Sequence, residues 1–358
     1  MKRNDYKPLG DYIALVNERN RDLAITHLVG VSIEKKFIPS IANIIGTDLS
    51  PYKIIRHNQF AYGPVTSRNG DKITIALYKD TEDGILSQAY EVFRIKDEKV
   101  LMPEYLMLWV QRPEFDRYAR FKSHGSVREI FSWEEMCNVM LPVPPIAEQR
   151  KIVEQYQTIE RRIKNNEALI QKLEATAQAL YHRTFVEGID KKNLPEGWRM
   201  GRLKDIASIC SGKDHQNLSN GAHPVYGSGG LMRYCNQFLY EGESVLIPRK
   251  GTLNNVMYRN EAFWTVDTMF YTKMNVENVA LFLFFTVDKI DFMSQDSGTT
   301  VPSNTTKAIE NIKIIIPKGE VLKSFDFKCK KIMKYIDDIT KENIACKKVH
   351  EILICETI

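Results

Sequence analysis

The stretch 141-LPVPPIAEQRKIVEQYQTIERRI-163 decides how the chain divides. Proline fixes φ, lacks an N–H and holds the residue before it extended, so a strand must stop within Leu141 to Pro145 and a helix can begin only after it. From Ile152 a seam returns at alternating steps of four and three: Ile152, Tyr156, Ile159, Ile163, Asn166, Ile170, Leu173, Ala177 and Leu180. This is an a/d pattern of about four heptads. The same steps recur in Phe325, Cys329, Ile332, Ile336, Ile339, Asn343, Cys346, His350 and Leu353, each at one constant offset from its counterpart. One such stripe is what any amphipathic helix on a core shows, but two in register give each narrow seam a matching partner. Asn166 and Asn343 are expected in that seam, where a buried polar residue fixes register at some cost in stability; a tolerated polar interruption reads equally well.

Working outward, the repeat extends beyond the helices. PEYLMLWVQRPEFDRYARFKSHGSV around Leu106 and VENVALFLFFTVDKIDFMSQDSGTTV around Leu281 stand at nearly the same offset, each an apolar patch ahead of a Gly-Ser or Gly-Thr turn and a valine. A short strand-like run ending in proline follows each, NVMLPVP from Asn138 and NIKIIIP from Asn311. The expected division is residues 1–147, a first mixed domain; 148–186, a central spacer helix; 187–318, a second mixed domain; and 319–358, a C-terminal spacer helix. The fold class is mixed α/β. Two similar α/β domains are separated by two long helices, each about 40 to 55 Å at 1.5 Å per residue, which form an antiparallel coiled coil in a pseudo-twofold internal repeat, with the domains at opposite ends.

Composition bounds the function. With 358 residues and 43% hydrophobic content, the chain is large enough for two cores. The six cysteines form no CxxC pair and no metal-ligand spacing, so they read as reduced thiols of a cytoplasmic protein. The strongest apolar run, 279-VALFLFFTV-287, is about half a membrane span and reads as a buried helix turn or strand. A net charge of +5 tolerates a nucleic-acid partner without demanding one. No Walker loop, GxGxxG, Asn-Pro-Pro-Tyr tetrapeptide, HExxH or GxSxG occurs, and His27, His57, His124, His215 and His223 are scattered among turn residues. The chain does not read as an enzyme, and no catalytic or metal-binding residue is expected.

The second domain carries the positive signal, 224-PVYGSGGLMRYCNQFLYEGESVLIPRKGTLNNVMYRNEAFWTVDTMFY-271. It alternates strand runs with the expected Gly turns YGSGG and YEGES and closes a strand with Arg249-Lys250-Gly251. Such turns bring backbone amides, hydroxyls and cations close to phosphates or base edges, although any β-rich domain has hairpin turns. The first domain offers 58-NQFAYGPVTSRNGDKITIALY-78 with its own Arg68-Asn69-Gly70 turn. Candidate DNA-contacting residues are Tyr226, Ser228, Arg249 and Lys250 in the second domain, and Tyr62, Ser67 and Arg68 in the first. Arg202 and Lys204 read as solvated surface charges. Two related, unequal modules fit two unequal DNA half-sites.

Taken together, the junction Leu141 to Val153, the second-domain opening Leu194-Pro195-Glu196-Gly197-Trp198 with Leu203, and the YGSGG, IPRKG and FWTVDT segments resemble the specificity (S) subunits of type I restriction-modification enzymes. The resemblance covers nearly the whole chain. It implies a non-catalytic, cytoplasmic DNA-binding subunit in which each domain is a target-recognition domain for one half of a split, asymmetric sequence. The helices would space the half-sites and dock two modification (M) subunits. These would supply S-adenosylmethionine and DNA modification at adenine, while restriction (R) subunits, with ATP and Mg on the partners, would cut. One heptad in the strut corresponds to about 10 Å, roughly three base pairs. The second junction, IPKGEVLKSF, departs by losing the double proline and the Glu-Gln-Arg run, and the first domain lacks the Leu-Pro-x-Gly-Trp opening. A specificity subunit of a type II system with a fused methyltransferase-nuclease partner fits the same residues. A coiled-coil adaptor without a DNA role would leave the basic turns unexplained.

Overall fold

Both proline-bounded runs are strands, and each pairs antiparallel with the strand that opens its own domain. Met140–Pro142 pairs with Tyr6–Pro8, and Lys313–Ile316 with Arg199–Arg202. In this computed structural model the described residues are 6–40, 46–67, 69–125, 128–292 and 304–356. The Arg68 candidate, the Gly-Thr turn at 298–300 and the Cys355 side chain lie outside what is described. The chain divides into two units, Met1–Asn165 with Glu342–Ile358, and Asn166–Lys341, so each takes one mixed domain and part of both long helices.

The two domains share a construction. After each opening strand a single 3-10 turn, Leu9–Asp11 or Leu203–Asp205, sinks a leucine completely into the core. Leu9 donates its N–H to the Val139 carbonyl at 2.7 Å, and Leu203 to that of Ile312 at 3.0 Å. Val139 and Ile312 stand at the same offset as the two helix seams, so the different opening sequences reach the same hook. Short helices precede the closing strands, Trp133–Cys137 and Thr306–Glu310. Ser132 Oγ accepts from the Glu135 N–H and Thr305 Oγ1 from the Ala308 N–H, both at 3.2 Å, capping each start alike.

The sheets follow one order. In the first unit it is Ile13–Val16, Glu91–Ile95, Phe60–Tyr62 and Ile75–Leu77, antiparallel throughout. In the second it is Ala207–Ser211, Met269–Met274, Tyr240–Pro248 and Met257–Thr265, also antiparallel. The second sheet continues with His223–Gly227, parallel to Met257–Thr265, and ends on Gly230–Cys235. The first unit instead adds the pairs Val29–Val31 with Phe37–Pro39 and Lys53–Ile55 with Gly84–Leu86. Helices Pro103–Val110 and Pro113–Phe121 back the first sheet. The run 279-VALFLFFTV-287 is the helix Ala280–Asp288; apolar on nearly every side, it is buried on nearly every side. The expected YEGES turn is not a turn. Glu241, Gly242 and Glu243 lie within the strand Tyr240–Pro248, with Gly242 at φ +122° opposite Glu261.

The long helices run Ile146–Phe185 and Gly319–Glu356, 40 and 38 residues, hence about 60 and 57 Å, longer than expected; the first starts two residues before Glu148. Each starts on one carbonyl. Pro145 accepts from the amides of Glu148 and Gln149, and Lys318, its counterpart, from those of Val321 and Leu322. Within the first unit Tyr156 meets His350 with ring centroids 4.2 Å apart, and Arg162 pairs with Glu342 at 2.7 Å. As one helix advances the other recedes, so the pairing is antiparallel. Within the second unit the same sense brings Tyr181 and Phe185 onto Phe325, Phe282 and Phe285. Positions Ile152, Ile159, Ile163, Ile170, Leu173, Leu180, Ile332, Ile336 and Leu353 are half-buried, while Phe325 and Ile339 are buried. Asn166 and Asn343 are each only 6% exposed.

The Glu-Gln-Arg run of the first junction conceals a core residue. Gln149 is fully buried, donates to the carbonyls of Val100 and Pro144 at 2.8 Å, and accepts from the Met102 N–H at 2.9 Å. Its counterpart is Leu322, buried among apolar neighbours. The second helix is tied to its sheet by charge instead. Lys330 bridges Asp326 at 2.7 Å and Glu243 at 2.9 Å, and Tyr258 donates to Glu243 at 2.6 Å. Burial pushes the Asp326 carboxyl up, against the pull of Lys330.

Two outcomes are expected. Gln149→Ala should cost about 2 to 4 kcal/mol in urea unfolding, because two carbonyls and one amide lose buried partners; a cost under about 0.5 kcal/mol would refute the assignment. Lys330→Met should cost about 2 kcal/mol at pH 8, less than a fully buried pair because Lys330 is partly exposed. That cost should shrink toward pH 5. Without the lysine, the folded-state pKa of Asp326 rises further above its unfolded value, so as pH falls the folded state takes up a proton before the unfolded state does, and stability returns; equal costs at both pH values would contradict this.

Candidate nucleic-acid interface

The two basic glycine turns occupy the same place in the topology. Ser67 to Gly70 lies in the connection between Phe60–Tyr62 and Ile75–Leu77, and Arg249-Lys250-Gly251 in that between Tyr240–Pro248 and Met257–Thr265. These are the third and fourth strands of equivalent sheets. Each connection is also held from the same side. Phe131 donates its N–H to Pro64 at 2.8 Å, and Asn304, its counterpart in the repeat, donates its N–H to Arg249 at 3.0 Å. The equivalence is therefore one of backbone contacts as well as strand order.

In the second unit the turns converge. Arg249 and Lys250 are exposed, and both amides reach the Thr268 carbonyl, at 2.8 and 3.3 Å. Gly251 has φ +86°, a conformation strained for any residue with a side chain, and a Cβ there would also come within 2.6 Å of Ser228 Oγ, so glycine is favoured beside that serine. Asn255 donates its side-chain amide to the Ser228 carbonyl at 2.7 Å, and Asn304 donates its own to Pro248 at 2.8 Å. Ser228, Arg249 and Lys250 thus share one rim, with the Arg249 guanidinium 5.8 Å from the Phe270 ring centroid. Two exposed cations, a hydroxyl and a glycine backbone suit phosphate and base-edge contacts.

Tyr226 is not part of that rim. Only 6% exposed, it donates its hydroxyl to Glu261 at 2.7 Å and carries the Arg259 guanidinium 4.6 Å over its ring. Burial pushes its phenol above the usual range. Tyr62 is likewise corrected: it is fully buried between Phe93 and Phe131, and burial raises its phenol too. Tyr62 ends the strand Phe60–Tyr62 and Tyr226 stands within His223–Gly227, and in both strands the neighbouring residues are buried as well, so each tyrosine belongs to the core. Ser67 is exposed in its turn, which Thr66 anchors by donating its N–H to Glu129 at 3.0 Å and Asn69 closes by donating to Thr66. Arg128 and His124 are exposed on the segment alongside, whose Glu129 carbonyl accepts from Thr66; nothing in their spacing distinguishes them in the sequence from other loop residues. Asn255 and Asn304 carry no sequence signal either. Their role is to fix the turns.

The family model described as type I restriction modification DNA specificity domain matches residues 47–175 and again 195–353. The chain belongs to this family. The double match coincides with the structural repeat. A relative from Methanocaldococcus jannaschii, the type I restriction enzyme MjaIX specificity subunit, is 21% identical over 292 residues, covering 71% of this chain and 68% of that one. The crystal structure of the type I restriction-modification system S subunit from M. genitalium superposes with a TM-score of 0.66 at 16% identity, covering 99% of this chain and 97% of that one. The shared fold is two mixed α/β domains with long paired helices. No helix among the described residues is long and apolar enough to cross a membrane.

Alanine at Arg249 or Lys250 should weaken duplex binding by the assembled complex across all sequences and lower the slope of log K against log salt by about one for each phosphate no longer neutralised. Tyr226→Phe should leave both unchanged. Fluorescence anisotropy at salt concentrations from about 50 to about 200 mM reads these effects, and an unaltered slope in the double variant Arg249→Ala/Lys250→Ala would remove the rim from the interface.

Proposed function

We propose that this specificity subunit reads a bipartite, asymmetric DNA sequence, one half through each unit, and directs adenine methylation and restriction by partner subunits. The observation that carries the reading is the pair of hairpin connections, topologically equivalent and braced alike, that differ in length and side chains. Equivalent position gives each unit the same approach to a duplex. Different residues give each a different half-site. The helices serve as the spacer and as the docking surface for two modification subunits, which bring S-adenosylmethionine and the transferase chemistry. Restriction subunits bring ATP and Mg-dependent cleavage. This chain contributes recognition rather than a reacting group, and its place of action is the cytoplasm, where the DNA and its partners are.

Co-expression with the modification subunit encoded beside it, in a host lacking adenine methylation, tests the reading. Single-molecule sequencing should show a split motif of two unequal specific parts and a fixed gap. Deleting one heptad from both long helices should shorten that gap by about three base pairs. A soluble, assembled complex that methylates no adenine would remove the assigned function.

A further inference from the structure

The outermost strand of the second sheet, Gly230–Cys235, has no equivalent in the four-stranded sheet of the first unit. It turns apolar side chains outward. Leu231 is 49% and Met232 55% exposed, on an edge where natural sheets usually place charge. The register explains how two successive residues come to be presented together. Val225 pairs with Arg233 and Tyr226 with Leu231, so Met232 has no partner in the register and forms a bulge. A bulge interrupts the alternation that would send one of two neighbours inward, and it re-aims side chains next to functional sites.

The bulge adjoins the cationic rim. A Cβ on Gly227 would lie 2.6 Å from Met232 Sδ, so the thioether crosses the glycine that precedes Ser228. Ser228 in turn packs on Gly251, next to Lys250 and Arg249. Exposed apolar groups beside phosphate-binding cations match a duplex surface, in which the only apolar group on a base edge of the major groove is the thymine methyl.

Building on the DNA-reading function above, we propose that Leu231 and Met232 are specificity-determining residues of the second unit, contacting a thymine 5-methyl group while Arg249 and Lys250 hold the adjacent backbone. The first unit has no such strand among its described residues and reads its half without this contact.

The test compares methylation maps of the wild-type complex and of Leu231→Ser/Met232→Ser, with Met232→Ala read in the same way should the double variant not assemble. The expected change is confined to one half of the split motif, where discrimination at one or two thymine-containing positions falls on the order of tenfold, with the gap and the other half unaltered. Replacing that thymine by deoxyuridine should weaken wild-type binding about fourfold, as removal of one buried methyl group implies, and leave the variant indifferent. A wild-type motif that both variants reproduce unchanged overturns the inference. So does absence of the modification subunit from a complex purified with folded Met232→Ala, which would make the patch a protein contact. A wild-type complex with no split motif strikes the functional reading itself.

Discussion

Neither long helix can bury a two-in-seven apolar seam by itself, and the architecture follows from the need to cover it. A stripe this narrow is too small for docking on a broad core, but another helix of the same pattern covers it. Antiparallel pairing follows from the chain order, since each helix emerges from its own domain and must lie back along the other. The buried asparagines at 166 and 343 interrupt the seam without abolishing it.

How the helices are attached shows that one geometric demand can be met by different chemistry. Both begin on a carbonyl at equivalent positions, Pro145 and Lys318. Behind that carbonyl the first junction uses the three hydrogen bonds of Gln149, and the second uses apolar Leu322 together with the Lys330 ion pairs. The missing Glu-Gln-Arg run is therefore a substitution of one fastening for another. The residue on which the helix starts is kept.

Most of the frame was legible in the sequence because it rests on periodicity and on proline, both of which act locally. The constant offset between the copies marks matching seams and closing strands. Side-chain roles were less legible. Tyr62 lies in the strand Phe60–Tyr62, buried throughout, so no alternation distinguished an inward ring from an outward one. Gln149 sits among charged neighbours and looks like surface, though its environment is set in part by the Val100 carbonyl, far off along the chain. The bulge at Met232 arises from a pairing register, which composition does not encode.

The division of the chain also bears on the order in which it is made. The second unit is one continuous segment, Asn166–Lys341, whereas the first joins Met1–Asn165 to Glu342–Ile358. During synthesis the second unit is complete once Lys341 has left the ribosome. The first has by then been waiting with the seam of its half-helix uncovered, since Tyr156 must await His350 and Arg162 must await Glu342. Of the two units, the one whose synthesis starts first is the last to be finished, and until the turns around Glu342 and His350 arrive its half-helix carries an uncovered apolar seam that a chaperone or a second nascent chain can occupy.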